Sequence, residues 1–192
     1  MHIHTCVSFL WKKSIFVQYQ FHFMFLKGLQ QKSAKKALTQ KLHKTTTKEV
    51  EATPIQTIGL IINADITDNV TYIVQSLQFN VAVDVLYYHK NAQKNREVNH
   101  PVFYDKDFGW KGKAKTEELA QFLSKPFDLL ISYYSDNIVA LQLASGLQAA
   151  TFKVGITGCD QKIHDVIIQT KEEDIATFAK ELHRYLQILN KL

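Results

Sequence analysis

The chain has 192 residues, 46% of them apolar and 21% charged, with a formal net charge of +5. Those proportions exclude a disordered polymer, and the length leaves room for one ordinary domain and little more. The two cysteines, Cys6 and Cys159, fit neither a disulfide framework nor a metal-ligand spacing, which points to a reducing, cytoplasmic setting.

The positive charge is unevenly spread. Residues 1–48 carry nine lysines and no acid, whereas residues 49–192 hold the other fourteen Lys and Arg against all eighteen Asp and Glu, a net of −4. A basic arm on a mildly acidic body suggests contact with something anionic: nucleic acid, a membrane surface or the body itself. Within the arm, residues 1–23 ("MHIHTCVSFLWKKSIFVQYQFHF") are aromatic-rich but fit no secretory signal, because Lys12 and Lys13 fall mid-segment. The segment is also too interrupted to span a bilayer. The reading preferred here is a mis-assigned start, with Met24 as the true first residue; a peripheral aromatic membrane anchor is the rival.

From Met24, Leu26, Leu29, Ala34, Ala37, Leu38 and Leu42 recur at spacings of three and four, predicting an amphipathic helix. Lys27, Lys32, Lys35, Lys36 and Lys41 cover much of its other face. Such a helix lies on anionic lipid, tracks phosphates, or docks on its own domain with a solvated lysine face. A polar linker closed by Pro54 ends a basic segment assigned to residues 24–53, and residues 54–192 form the body.

In the body, "IQTIGLIINAD" (Ile55–Asp65) reads as a strand covered on both faces. A helix with Val70, Ile73, Val74 and Leu77 on its apolar face follows, with Thr67 or Asp68 available as N-cap. "NVAVDVLYYH" is the next strand, where Asp84 implies an edge or partly open face. A long irregular region, punctuated by Pro101, Gly109 and Gly112, precedes a helix expected to be capped by Thr116 and to end near Ser124. "FDLLISYY" is a buried strand, Asn137 to Ala149 a helix, and "TFKVGIT" and "HDVIIQT" two more strands. A capping box of Thr170 and Glu173 is expected to open a last helix through Phe178, Leu182, Leu186 and Leu189. Strand–helix alternation with short connections implies parallel pairing. The expected fold is α/β: a single three-layer Rossmann-like domain with a mainly parallel sheet of about five strands, preceded by the basic helical arm.

In such a sheet, ligands bind beyond the carboxyl ends of the strands. "INADITDN" lacks glycines for a pyrophosphate, and Asp65 and Asp68 read as capping groups rather than metal ligands. His89 and Lys90 at the next strand end read as solvated. Ser135 and Asp136, after Tyr133 and Tyr134, are expected to cap the following helix while the tyrosine hydroxyls stay near water; a small anion at that helix start is the functional alternative. Cys159 and His164 invite a nucleophilic pair, but Asp160 disfavours a thiolate, and Gly155 and Gly158 read as a turn. In "FYDKDFGWKGK", Trp110, Lys111 and Lys113 are candidate ligand contacts. The bland reading has Phe108 and Trp110 plugging the core.

The stretches "DFGWKGK", "PFDLLISYYS", "FKVGI" and "YLQILNKL" resemble an uncharacterised family of unknown function found mostly in Bacteroidetes, from about Met24 to Leu192. That resemblance implies no activity and transfers no functional residue. More faintly, Phe127–Ile131, Ile138–Ala150 and Lys153–Ile156 follow one another as in the N-terminal Rossmann-like half of heptosyltransferase-like glycosyltransferases. That likeness implies the fold alone, since the chain has no length for the second, donor-binding domain. The expectation is a non-enzymatic cytoplasmic binding module acting through its basic arm, with no cofactor, no metal and no catalytic residue. The alternative is a small anionic-ligand-binding or degenerate transferase-like domain.

Overall fold

A computed structural model describes residues 26–43, 53–66, 70–90 and 101–192. The expectations for residues 1–23 and Met24, for the linker at 44–52, for Thr67 or Asp68 as a cap and for the stretch 91–100 lie outside the described residues.

Helix α1 spans residues 26–43. It is followed by β1 (Ile58–Asn63), α2 (Val70–Leu77), β2 (Val83–Tyr88), β3 (Val102–Phe103), two short 3-10 turns (Asp105–Asp107 and Trp110–Gly112) and α3 (Glu117–Ser124). The chain continues with β4 (Phe127–Tyr133), α4 (Val139–Leu147), β5 (Ala150–Ile156), β6 (Val166–Ile168) and α5 (Ile175–Ile188). All strand pairs are parallel, in the order β3-β2-β1-β4-β5-β6. That is the Rossmann order, with its reversal point between β1 and β4. The sheet has six strands rather than five. The additional one, β3, is two residues long, too short for any hydrophobic period to announce it.

The layers follow from the alternation of strand side chains. Ile61, Leu86 and Leu130 face α1, α3 and α4, joining Leu38, Leu119 and Leu141. Leu60, Ile62, Val85, Leu129 and Ile131 face α2 and α5, joining Ile73, Phe178 and Leu182. With every residue of β1 buried, no face of the central strand reaches solvent. At the amino end of the sheet, the Asp128 carboxylate accepts from Gln56 N, Thr57 N and Thr57 Oγ1 at 3.0, 2.9 and 2.8 Å. Asp84 pairs with Lys125 where, among the described residues, β2 has no outer neighbour, because β3 covers only Tyr87 and Tyr88. The open edge anticipated there is present.

Three helix starts depart from expectation, that of α4 being described with the rim below. α5 is capped by Asp174, whose Oδ1 accepts from Thr177 N at 3.1 Å, so the start lies four residues beyond Thr170. Thr170 turns its hydroxyl onto Lys171 O instead, and no capping box with Glu173 forms. Thr116 precedes α3 in extended conformation but makes no side-chain cap; its hydroxyl is buried without a partner, and Glu117 and Glu118 meet the helix dipole directly. The connection from β5 to β6 also departs from simple alternation. Parallel strands ordinarily need a dozen or more residues between them. Here residues 157–165 cross with turns alone. Gly158, at φ +101°, presses against the Ser135 carbonyl where any Cβ would collide, and this lets the loop lie flat on the strand ends.

α1 is part of the body. Ala34 and Leu38 are buried in the core shared with α3 and α4, and Leu38 rests on Gly146, where a Cβ would overlap its methyl groups. With Leu38 only 6% exposed, Leu38→Ala should destabilise the whole domain by about 2–4 kcal/mol in urea unfolding. A change within experimental error would mean that α1 does not dock.

Candidate functional site

Two regions gather polar or apolar groups in a way that suits a ligand: the carboxyl rim of the sheet, and a cleft beneath α1. At the rim, Asn63 ends β1 and donates its Nδ2 to Asp136 Oδ2 at 2.7 Å, while its Oδ1 accepts from Asp65 N at 3.1 Å. The Asp65 carboxylate then holds His89 Nδ1 at 3.1 Å and Lys90 N at 2.7 Å. His89, expected to be solvated, is buried because Phe103 and Asp65 flank it: its backbone amide bonds Phe103 O and its ring bonds Asp65.

Ser135 and Asp136 do not cap α4, whose start at Ile138 has no side-chain cap. Ser135 gives its N–H and its hydroxyl to the two carboxylate oxygens of Glu172, at 2.8 and 3.1 Å, and Asp136 is taken by Asn63. Nor do the tyrosine hydroxyls stay near water. Tyr133 donates to Glu172 O at 2.6 Å, and Tyr134 shares Ser145 Oγ with Ser132, at 2.8 Å each. Burial raises the pKa of both phenols. Burial also raises Glu172, against the lowering effect of its Ser135 bonds, with Asp136 and Glu173 adding to the rise. Sequence reasoning missed Glu172 because it lies 37 residues from Ser135, inside a segment read only as the start of a helix. The rim is therefore a self-satisfied network rich in carboxylates, and no lysine or arginine side chain bonds Ser135 or Asp136 among the described residues.

Cys159 and His164 do not form a reactive pair. The thiol donates to Tyr134 O at 3.2 Å, and burial pushes it up to about 12, so it is protonated at neutral pH. The His164 ring donates through Nδ1 to Asp160 O at 2.8 Å and buries Nε2 without a partner. Among the described residues no group of three or more His, Cys, Asp or Glu is arranged to hold a metal ion.

The cleft is built by the turn after β3. Asp107 Oδ2 accepts from Tyr104 N at 2.9 Å, Gly109 N bonds Lys113 O at 2.7 Å, and Lys115 N bonds Asp107 O at 2.8 Å, closing residues 104–115 into a compact loop. Lys111 at φ 56° and Gly112 at φ 75° make its tip. α1 grips this loop twice: Gln30 Nε2 donates to Phe108 O at 3.0 Å, and Ser33 Oγ accepts from Lys111 N at 3.3 Å. Phe108 enters the core edge-on to Phe103, but Trp110 does not plug it and stays 53% exposed. Between α1, the loop and the start of α4 lies a cavity of ≈ 620 Å³ walled by Leu26, Ala34, Phe108, Trp110, Val139 and Leu143, with Lys27, Lys106 and Lys115 also lining it.

The structure thus divides the five candidate ligand contacts. Trp110 lines the cleft, Lys111 and Lys113 are exposed on the same loop, and Ser135 and Asp136 belong to the acidic rim. Of the arm lysines, Lys27 reaches the cleft, Lys32, Lys35 and Lys36 are exposed along α1, and Lys41 Nζ bonds Leu147 O at the end of α4.

The buried His164 carries a pH prediction. Burial lowers its pKa from 6.5 to about 4, so the folded protein holds it neutral while the unfolded chain takes up a proton below 6.5. Its contribution is complete above about pH 6.5 and is lost as the pH falls toward 4, by about 3 kcal/mol in all. Urea midpoints at pH 7 and 4.5 should therefore diverge less in His164→Asn than in the wild type; equal divergence would show that His164 is not the group titrating.

No protein of curated function matches the chain. A family model does match, over residues 30–189, from the second turn of α1 through the end of α5. The chain therefore belongs to the family of unknown function DUF6913.

Proposed function

We propose that this protein works by binding rather than by catalysis, and that α1 and the loop 104–115 act as one basic surface for an anionic partner. The observation that carries this reading is the pair of hydrogen bonds joining Gln30 to Phe108 and Ser33 to Lys111. They tie the helix that carries Lys27, Lys32, Lys35 and Lys36 to the loop that carries Lys106, Lys111, Lys113 and Lys115, all exposed. The two acids within the loop are already engaged: Asp105 accepts from the Tyr88 hydroxyl at 3.0 Å, and Asp107 is buried against Tyr104 N. Potential adds across clustered like charges, and each lysine near an anionic lipid surface is worth about 1 kcal/mol.

Support for a non-catalytic role comes from the chemistry of the rim, where the candidate nucleophiles and bases are spent on one another or held in their inert forms. A cytoplasmic setting belongs to the same proposal. Cys159 is a buried free thiol, and no helix among the described residues is long and apolar enough to cross a membrane.

The test is binding to vesicles of phosphatidylcholine with about one-third phosphatidylserine, and in parallel to single-stranded RNA, across a salt titration. Affinity for an anionic partner should fall steeply between about 50 and 200 mM salt. Neutralising Lys32, Lys35 and Lys36 together to Gln should weaken it by about 10- to 100-fold. Affinity that ignores both salt and the triple substitution would refute the surface as a binding site.

A further inference from the structure

The cleft beneath α1 asks for a ligand of different chemistry from the lysine face beside it. We infer that it takes a single alkyl chain ending in an anionic group, a carboxylate or a phosphate; this rests on the reading that the surrounding surface attracts anions. Its volume, ≈ 620 Å³, falls within the roughly 300–1,000 Å³ usual for small-molecule sites. Its walls are largely aliphatic and aromatic, and three of its polar side chains already have partners within the protein. The Gln30 amide is bonded to Phe108 O, the Asp105 carboxylate to the Tyr88 hydroxyl, and the Lys115 ammonium to Lys106 O. A sugar or a nucleobase needs several convergent donors and acceptors that this interior does not offer. An alkyl chain needs none.

The ends of such a ligand are also accounted for. Leu26 and Trp110 line the cleft yet stand 43% and 53% exposed, apolar surface that a bound chain would remove from water. Lys27 and Lys106, both exposed, stand among the lining residues and supply the positive charge that a negative head group needs. The preceding residues of this same chain would be a poor occupant, because residues 1–25 contain Lys12 and Lys13 and no acid to meet those lysines.

The experiment follows Trp110 fluorescence in the full chain carrying Trp11→Phe, which leaves Trp110 as the sole indole. Dodecanoate and dodecyl phosphate, each below its micellar threshold, are added separately, so that the tighter of the two identifies the head group. A saturable blue shift with a raised melting temperature is expected. Butanoate, which has the charge without the chain, and dodecyltrimethylammonium, which has the chain with the wrong charge, should produce neither. Filling the cleft from an exposed position with Gln31→Phe, or from α4 with Val139→Phe, should weaken the chain-bearing probes about tenfold or more while leaving salt-dependent vesicle binding intact. The Lys32, Lys35 and Lys36 triple variant should do the reverse. Butanoate binding as tightly as dodecanoate, dodecyltrimethylammonium binding equally well, or no saturable change with either anionic amphiphile would each overturn the cleft assignment. The vesicle titration decides the basic surface separately.

Discussion

The contact of Leu38 with Gly146 is the constraint on which the arrangement of this protein's surface depends. Because Gly146 carries no side chain, α1 settles directly against α4, and Leu38 fills the space that a Cβ would take. That approach brings Gln30 and Ser33 within hydrogen-bonding distance of the loop 104–115 and Lys41 within reach of the carbonyl at the end of α4. Were α1 held farther out, its lysines would belong to a tether and would sweep a volume of solvent. Docked, the helix backbone that carries them has one place against the loop 104–115.

The two ends of the carboxyl side of the sheet are put to opposite uses. At the reversal point between β1 and β4, where ligands of such sheets ordinarily sit, Asn63, Asp65, Asp136, Ser135 and Glu172 satisfy one another. Hydrogen bonds among these partly buried groups tie the rim together, and the Tyr88 hydroxyl is raised in pKa by burial first and then by Asp105 of the neighbouring loop and by Asp65 and Asp136 of the rim. Toward β3 the character reverses. There the acids are consumed internally, lysines face outward, and an apolar hollow remains beneath α1. A protein of this size thus presents an acidic closed rim and a basic open cleft side by side.

Much of the fold was legible because its signals are local. Short, mainly apolar stretches rich in β-branched and aromatic residues read as covered strands in a layered protein, and β1, β2, β4 and β5 lie where such stretches stand. The three-to-four spacing through Phe178, Leu182 and Leu186 required a helix with one buried face, which is α5. The failures were equally physical. Two-residue β3 has no period to detect; it exists because β2 offers it a free edge at Tyr87 and Tyr88. At the start of α5, the Thr170 and Glu173 pattern had the right letters, but Asp174 sits where the backbone first turns helical and takes the amide of Thr177. Ser135 and Asp136 had the composition of caps and were drawn away by Glu172 and Asn63 from distant parts of the chain.

Sequence alone determined the layer order of this protein in outline, its charge asymmetry and the amphipathic character of α1, since each depends on residue types and their spacing within one segment. Only the tertiary structure decided that the basic helix docks on the body, that Phe108 rather than Trp110 enters the core, and that a cleft opens between α1 and the loop. The reason is common to all three. Each depends on pairs of residues tens of positions apart, such as Leu38 with Gly146 or Gln30 with Phe108, whose proximity no local pattern encodes and only the closing of the core around the sheet creates.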